Sequence, residues 1–168
     1  MRKILLAING VQPNQKVFSY AVQLCKQIKA DLLVLQVVDT GVLKNRLGAI
    51  GRKAQQVMKM LEDSMTAATF AEAGEHETAN AMMAQARKEI NDLLPETARA
   101  GIQCHFTIKA GSPEREIVRY ARRHRDIVLT VYDNADSASQ EEARVYESRD
   151  IAGIIRQYLE VPVVTRHA

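Results

Sequence analysis

Short apolar runs alternate along the chain with apolar stripes at helical spacing. Residues 4–8 form a continuous apolar run that stops at Asn9-Gly10, and residues 32–38 form a second run that only Gln36 interrupts. Between the two runs, a helix opens at Pro13-Asn14, and its apolar residues recur at the spacing of an amphipathic helix: Val17, Tyr20, Ala21, Leu24, Cys25 and Ile28. Because such runs are typical of strands buried on both faces, the pattern predicts a parallel βαβ unit with helices on both sides of the sheet.

The second half of the chain continues the alternation with a third strand and a third helix. We expect the strand over 102–110, with Ile102, Cys104, Phe106 and Ile108 on one face. The helix follows at Gly111-Ser112-Pro113, with Ser112 as its N-cap and Pro113 in its first turn. Its predicted core face consists of Ile117, Val118 and Ala121.

The last third of the predicted sheet comes from residues 126–164. A fourth buried strand is expected over 126–131, followed by a polar loop over 133–147 that contains no glycine. Ser148 then caps a last helix, and a fifth strand covers 161–164. Pro162 has no backbone N–H to donate, which places this strand at a sheet edge or Pro162 at a strand start. The predicted fold is a doubly wound α/β sandwich with five strands.

Residues 40–101 form an extended helical insertion between the second and third strands. Two apolar seams run through it at spacings of four and three residues: Leu43, Leu47, Ile50, Ala54, Val57 and Leu61, then Ala79, Met83, Ala86, Ile90, Leu93 and Thr97. Gly74 lies between them, where a helix can end. Two arrangements fit this pattern: a helical hairpin with facing seams, or one crossover helix over 76–99 behind an irregular insertion.

The partners of the insertion depend on which arrangement holds. The seams pair with each other in the structural alternative. In the functional alternative their outer faces, rich in methionine at Met58, Met60, Met65 and Met82, dock a partner because methionine adapts to varied surfaces. A projecting hairpin favours dimerisation.

Length and composition indicate that residues 1–168 form a single globular domain. Hydrophobic residues make up 46% and charged residues 26%, and the absence of Trp implies an aliphatic core. The net charge of +3 is spread along the chain, which argues against a dedicated nucleic-acid binder. No apolar run approaches the ~20 residues of a membrane span, and the run after Met1-Arg2-Lys3 is too short for a signal peptide. We therefore expect a cytoplasmic protein without membrane partners.

The reactive residue types do not form a catalytic or metal-binding motif. Cys25 and Cys104 are far apart, with no CxxC pair, and both are expected to be buried small hydrophobic residues in a reducing compartment. The four histidines share no ligand spacing, so no metal site is expected. No Gly-x-Ser-x-Gly element or other nucleophile with a nearby base is present in sequence. The sequence thus predicts a protein that is not an enzyme.

Five segments in order resemble the universal stress protein family. They are residues 3–10, residues 30–32 leading into 37–39, residues 111–113, residues 126–128 and residues 161–164. Residues 40 to about 75 are longer than usual for that family and lie outside the resemblance. The resemblance implies a Rossmann-like sheet with strand order 3-2-1-4-5. It also implies homodimers, often formed through the fifth strand, with the insertion as the other candidate interface.

Members of that family divide by whether they bind ATP. Binders typically carry an aspartate at the end of the first strand, and Gly-x2-Gly-x9-Gly followed by Ser or Thr after the fourth strand. Glycines there let backbone N–H groups approach the phosphates. This chain has Asn9 at the aspartate position and Glu147 at the last glycine position, within an acidic stretch. Ser148 matches the end of the motif, and Val38 and Gly111 match positions that contact adenosine.

These departures favour a non-enzymatic regulatory or interaction module that does not bind ATP and has no cofactor. The alternative is an ATP- or AMP-binding universal stress protein with slow or no hydrolysis, whose candidate nucleotide-binding residues are Asn9, Val38, Gly111 and Ser148. A third hypothesis is an unrelated α/β enzyme with a ligand at the ends of the first and fourth strands. Asn9-Gly10 also fits a simple turn.

A stripe of arginines follows the third strand. Arg115, Arg119 and Arg122 are spaced i, i+4, i+7, and residues 109–125 contain six Lys or Arg against two Glu. The stripe could receive phosphate, nucleic acid or an acidic partner, whereas a solvated helix face is the default interpretation. Nucleic acid is not expected as a partner, because no aromatic residues are interleaved for base stacking.

Overall fold

A five-stranded parallel sheet forms the centre of the molecule. The computed structural model of the chain describes residues 1–39, 67–134 and 150–165. The strands lie in the order β3-β2-β1-β4-β5, which confirms the predicted topology. Their bounds are β1 (Lys3–Asn9), β2 (Asp31–Val38), β3 (Cys104–Ala110), β4 (Ile127–Asn134) and β5 (Val163–Thr165).

Helices cover both faces of the sheet, as a parallel sheet requires. One face packs against α1 (Gln15–Ile28) and α2 (Ala67–Arg99), and the other against α3 (Pro113–Arg123) and α4 (Ile151–Tyr158). Successive residues of β1 serve the two faces in turn, because side chains alternate along a strand. Every residue of β1 from Ile4 to Asn9 is buried, which explains why its sequence is a continuous apolar run.

The first helix begins as its sequence predicts and ends at a left-handed residue. The Asn14 side chain accepts hydrogen bonds from the backbone N–H groups of Lys16 at 2.9 Å and Val17 at 3.4 Å, which makes it the N-cap of α1. Lys29 adopts the left-handed conformation, with φ of 53°, after the last turn. The buried face of α1 includes Val17, Phe18 and Ala21.

The crossover helix α2 is longer than the sequence indicates. It runs without a break through Gly74, so the predicted helix end at that residue is wrong. A glycine inside a helix costs only about 1 kcal/mol relative to alanine, and the Ala- and Glu-rich neighbours of Gly74 favour the helix. Residues 76–99 are helical, as both arrangements of the insertion predict. The first seam, residues 43–61, with Met58, Met60 and Met65, lies outside the described residues.

The second seam packs on the body of the domain. Ala86, Ile90 and Thr97 are buried, and Ile90 and Leu93 contact the cluster formed by α1 and the sheet. This part of the seam is therefore covered by the chain's own core and is not a free docking face. Among the described residues, no helix is both long and apolar enough to cross a membrane.

Element boundaries in the second half differ from those expected. β3 begins at Cys104, although Ile102 still packs against the core. The N-cap of α4 is Asp150, whose carboxylate accepts from the Gly153 N–H at 2.8 Å, and the predicted cap at Ser148 was therefore placed too early. Pro162 directly precedes β5, which lies at the sheet edge as predicted.

The third helix keeps its predicted start but changes its core face. Ser112 is the N-cap by position but makes no side-chain capping hydrogen bond. Ile117 is buried as predicted, together with Tyr120, while Val118 and Ala121 are half-buried. Tyr120 is held in place by ring stacking on His124, with ring centroids 4.2 Å apart.

Candidate functional site

The candidate site is the crevice outside the carboxyl ends of β1 and β4. The chain leaves β1 towards β2 on one side, while β4 lies on the other side, so the strand order reverses between them. Doubly wound proteins bind ligands at such a point. The register pairs Ile8 with Asp133 and Asn9 with Asn134, which brings the last residues of both strands to the same edge.

Asn9 bridges the two strands on the α3/α4 side of the sheet. Its side-chain amide donates a hydrogen bond of 3.3 Å to the hydroxyl of Tyr132. Asn9 is 6% exposed and Tyr132 4% exposed, so the bond lies beneath the surface of the crevice. An aspartate at position 9 could not donate this bond, since an ionised carboxylate only accepts.

Asp133 occupies the other side of the same edge. Its carboxylate accepts a 2.8 Å hydrogen bond from the backbone N–H of Asn14, at the N-terminal end of α1. The residue is 4% exposed. Burial raises the pKa of Asp133 from 3.8 to about 6, although the Asn14 hydrogen bond opposes that rise. At neutral pH the site therefore carries a largely ionised carboxylate at a helix N-terminus.

The placement of Asp133 corrects the predicted loop over 133–147. β4 continues to Asn134, so Asp133 belongs to a buried strand. Residues 135–149, including Ser148 and Glu147, lie outside the described residues. The signal that could have located the longer strand is Tyr132, a strand-favouring aromatic residue that extends the apolar run by one position.

Gln36, on β2, holds the β1–α1 loop from the side opposite to Asp133 on β4. Its side-chain amide donates to the backbone carbonyls of Gly10 at 2.7 Å and Val11 at 2.8 Å. Gly10 has φ of 120°, a conformation that glycine adopts readily. The loop is thus tied to β2 by Gln36 and to β4 by Asp133. A lone polar residue within the apolar run 32–38 was the sequence signal for this role.

Val38 and Gly111 meet one strand away from Asn9. The Gly111 N–H donates a 3.0 Å bond to the carbonyl of Val38, where β2 and β3 end. Gly111 has φ of 144°, and a side chain there would contact the Cγ of Glu116 at 3.4 Å. Of the four predicted nucleotide-site residues, the structure brings Val38 and Gly111 together at the ends of β2 and β3. Asn9 lies at the end of β1, where it contacts β4.

Glu116 supports the turn that contains Gly111. Its carboxylate contacts the Lys109 ammonium at 3.4 Å and the Arg119 guanidinium at 3.3 Å. Because its side chain is only 13% exposed, these pairs hold it beneath the β3–α3 connection. The turn next to Val38 is therefore rigidly positioned by α3.

The two cysteines are buried or half-buried thiols. Burial raises the pKa of Cys25 to about 12 and that of Cys104 to about 11, so both remain protonated at neutral pH. Protonated thiols are poor nucleophiles and poor metal ligands. In the described parts of the chain, no group of three His, Cys, Asp or Glu residues is arranged to hold a metal ion.

The chain is similar to known universal stress proteins. The model of the universal stress protein family matches residues 1–131. No curated protein matches the chain. UspA from Lactobacillus plantarum is a structural neighbour with a TM-score of 0.66 and 16% identity, covering 99% of both chains. A family protein from Burkholderia pseudomallei has a TM-score of 0.60 and 16% identity, covering 98% of this chain and 96% of its own.

A further neighbour was crystallised with a nucleotide. It is a family protein from Arabidopsis thaliana with AMP bound, with a TM-score of 0.53 and 14% identity, covering 100% of this chain and 93% of its own. At these identities the structural likeness shows the fold, while the family model covers more than half of the sequence. The chain belongs to the universal stress protein family.

Proposed function

We propose that this protein is a universal stress protein that acts as a regulatory or interaction module, without catalysis and without binding ATP. The observation that carries the proposal is the Asp133 carboxylate in the crevice between β1 and β4. It already accepts the Asn14 N–H, a group of the kind that helix N-termini offer to phosphate.

Electrostatics makes this crevice unfavourable for a triphosphate. A negative charge about 4 Å from the carboxylate would cost on the order of 4 kcal/mol at an effective dielectric constant of 20. One N–H of the Asn9 amide is used in the hydrogen bond to the Tyr132 hydroxyl of β4. Gln36 commits its amide donor to the carbonyls of Gly10 and Val11.

The described polar side chains of the crevice are mostly neutral hydrogen-bonding groups. Asn9, Gln36 and Tyr132 supply neutral hydrogen-bonding groups, and Asp133 is the one acidic side chain among these four. No described residue of this set pairs a nucleophile with a base. This supports a role in recognition.

A second candidate function is binding of a mononucleotide. The Arabidopsis neighbour has AMP bound, and another family structure, with a TM-score of 0.51 and 11% identity, is a complex with cAMP. In this chain the Val38–Gly111 contact lies at the position that resembles the family's adenosine contact. A single phosphate can point away from Asp133, whereas three phosphates have less freedom to do so.

Isothermal titration calorimetry with Mg-ATP and with AMP tests both functions. We expect no saturable heat from the wild-type protein with Mg-ATP, and a gain of ATP affinity in Asp133→Asn, which removes the charge but keeps an acceptor for the Asn14 N–H. Asp92→Asn, an exposed change on α2, is the matched control. Saturable ATP binding that Asp133→Asn leaves unchanged would contradict the proposal. Saturable AMP binding without ATP binding supports the second candidate.

We also propose that the protein is a homodimer through β5. This strand is at the sheet edge and pairs only with β4 among the described residues. An open edge is a template for pairing with another strand. Light scattering coupled to gel filtration is expected to give twice the 18.8 kDa mass of the chain, and a monomer at the same concentration would refute the assignment.

A further inference from the structure

A groove separates α3 from α4 on the outer side of their layer. Its volume is about 550 Å³. Three apolar side chains line it: Val118 and Ile154 are half-buried, and Tyr158 is 52% exposed. Both helices are already anchored by other residues, Ile117 on α3 and Ile155 on α4, each 0% exposed. The three apolar lining residues are not part of the core cluster on this face of the sheet.

Arginines surround this apolar lining. Arg115, Arg119, Arg122 and Arg123 all line the groove and are exposed, with Glu114 as the one acidic lining residue. Arg119 pairs with Glu116 at 3.3 Å. Within residues 1–39, 67–134 and 150–165, no carboxylate forms an ion pair with the other three arginines. Like charges one helical turn apart repel each other, so an anionic partner here would relieve the repulsion between these arginines.

We propose that the groove between α3 and α4 docks an acidic amphipathic segment of a partner protein. Guanidinium groups match carboxylates in a two-pronged hydrogen-bonding geometry, which suits aspartate and glutamate side chains. The segment would place leucine or phenylalanine side chains against Val118, Ile154 and Tyr158, as amphipathic helices do in apolar grooves.

The composition of the groove favours a protein segment over nucleic acid. Single-stranded nucleic acids bind on several aromatic side chains, each of which stacks on a base. This groove has one aromatic residue, Tyr158, beside two aliphatic ones. Aliphatic lining is best covered by apolar side chains, which a nucleic acid does not have.

This inference extends the interaction role proposed above to a named surface. It concerns a different part of the molecule from the crevice at β1 and β4. Calorimetry with Mg-ATP reports on the crevice, and peptide titration reports on the groove. Either proposal can therefore fail while the other holds.

Fluorescence anisotropy with a labelled peptide tests the proposal. The probe is a synthetic helical peptide with leucines at i, i+3, i+4 and i+7 and glutamates at the other positions. The full chain is expected to bind it saturably, and Arg115→Ala/Arg122→Ala to weaken binding by about tenfold or more, since the variant loses two charge-assisted contacts to the glutamates. Tyr158→Ala is expected to weaken binding in the same assay without removing charge.

A charge-matched control separates the groove from the overall charge. Arg87→Ala/Lys88→Ala removes the same two positive charges from exposed positions on α2 and is expected to leave peptide binding unchanged. Equal losses in both double variants would overturn the proposal, as would equal binding of a glutamate peptide without leucines. Tighter binding of single-stranded oligo(U) RNA than of the peptide would overturn it in favour of nucleic acid. Peptide binding that dissociates a homodimer would overturn it in favour of a second copy of the chain.

Discussion

The two helical layers of the sandwich bury similar cores but present different outer surfaces. α1 and α2 pack Phe18 and Ile90 fully against the sheet, and the described outer part of α2 is a mixture of exposed charges of both signs. α3 and α4 bury Ile117 and Ile155 just as completely, yet leave Tyr158 half-exposed beside a row of arginines. The first layer thus presents mixed charges to its surroundings, whereas the second presents an apolar groove flanked by arginines.

The largest expected difference between the layers comes from their aromatic residues. Phe18→Ala should lower the free energy of unfolding by about 3–5 kcal/mol, because it leaves a cavity in a fully buried site. Tyr158→Ala, in the groove, should change it by about 0.5 kcal/mol or less. Urea denaturation of both variants measures the contrast. Comparable losses would show that the α3/α4 surface is also part of the structural core.

The next effect concerns the crevice between the layers. The folded-state pKa of Asp133, about 6, is above the ordinary 3.8, so the stability linked to this carboxyl is full below pH ~4 and is lost as the pH rises through 6. The rise of the pKa from 3.8 to about 6 corresponds to about 3 kcal/mol of stability. Asp133→Asn should therefore be more stable than wild type at pH 7.5, by up to that amount, and equal to it at pH 4.

Thermal or urea denaturation across pH 4–8 measures the Asp133 effect. Asp92→Asn provides the matched control on the exposed side of α2 and should follow the wild-type profile. A wild-type minus Asp133→Asn difference that does not change with pH would show that the carboxyl titrates in the folded protein as it does in the unfolded chain.

A smaller effect separates the starts of α1 and α3. Asn14 caps α1 through its side chain, while Ser112 precedes α3 without a capping hydrogen bond. Asn14→Ala should cost about 1 kcal/mol of stability, although the Asn14 N–H that Asp133 accepts is retained. Ser112→Ala should cost only a few tenths of that. If the two substitutions lower the free energy of unfolding by the same amount, side-chain capping does not distinguish the two helices.

The smallest expected effect is that of the groove arginines on folding. Arg115→Ala/Arg122→Ala should change the free energy of unfolding by less than about 0.5 kcal/mol, because both side chains are exposed and make no ion pair within the described residues. Urea denaturation checks this. A large loss would mean that the arginines hold α3 in place, and the contrast between the two layers would disappear.

The sheet was predictable from sequence because its central strands are buried on both faces. The apolar runs of β1 and β2 appear directly in the pattern, and Pro162, which lacks a ladder donor, indicated an edge strand or a strand start. Local signals of this kind do not depend on distant residues. The same holds for the start of α1 at Asn14.

The candidate site was only partly predictable, because its contacts join distant positions. Asn9 and Gly111 stood out locally, whereas Asp133 accepts its hydrogen bond from Asn14, 119 residues earlier in the chain. Gln36 gains its role from the carbonyls of a loop that follows another strand. At Gly74 the local signal gave a wrong prediction. The glycine indicated a helix end, but strong helix formers on both sides keep the chain helical there.

We propose that the crevice at the ends of β1 and β4, where Asn9 bonds to Tyr132 and Asp133 accepts the Asn14 N–H, does not bind ATP. A native mass spectrum of the purified protein, before and after addition of Mg-ATP, tests it most directly and also reports the oligomeric state. The account predicts a nucleotide-free dimer whose mass is unchanged by ATP. A nucleotide carried through purification, or a saturable ATP adduct at micromolar concentration, would contradict it.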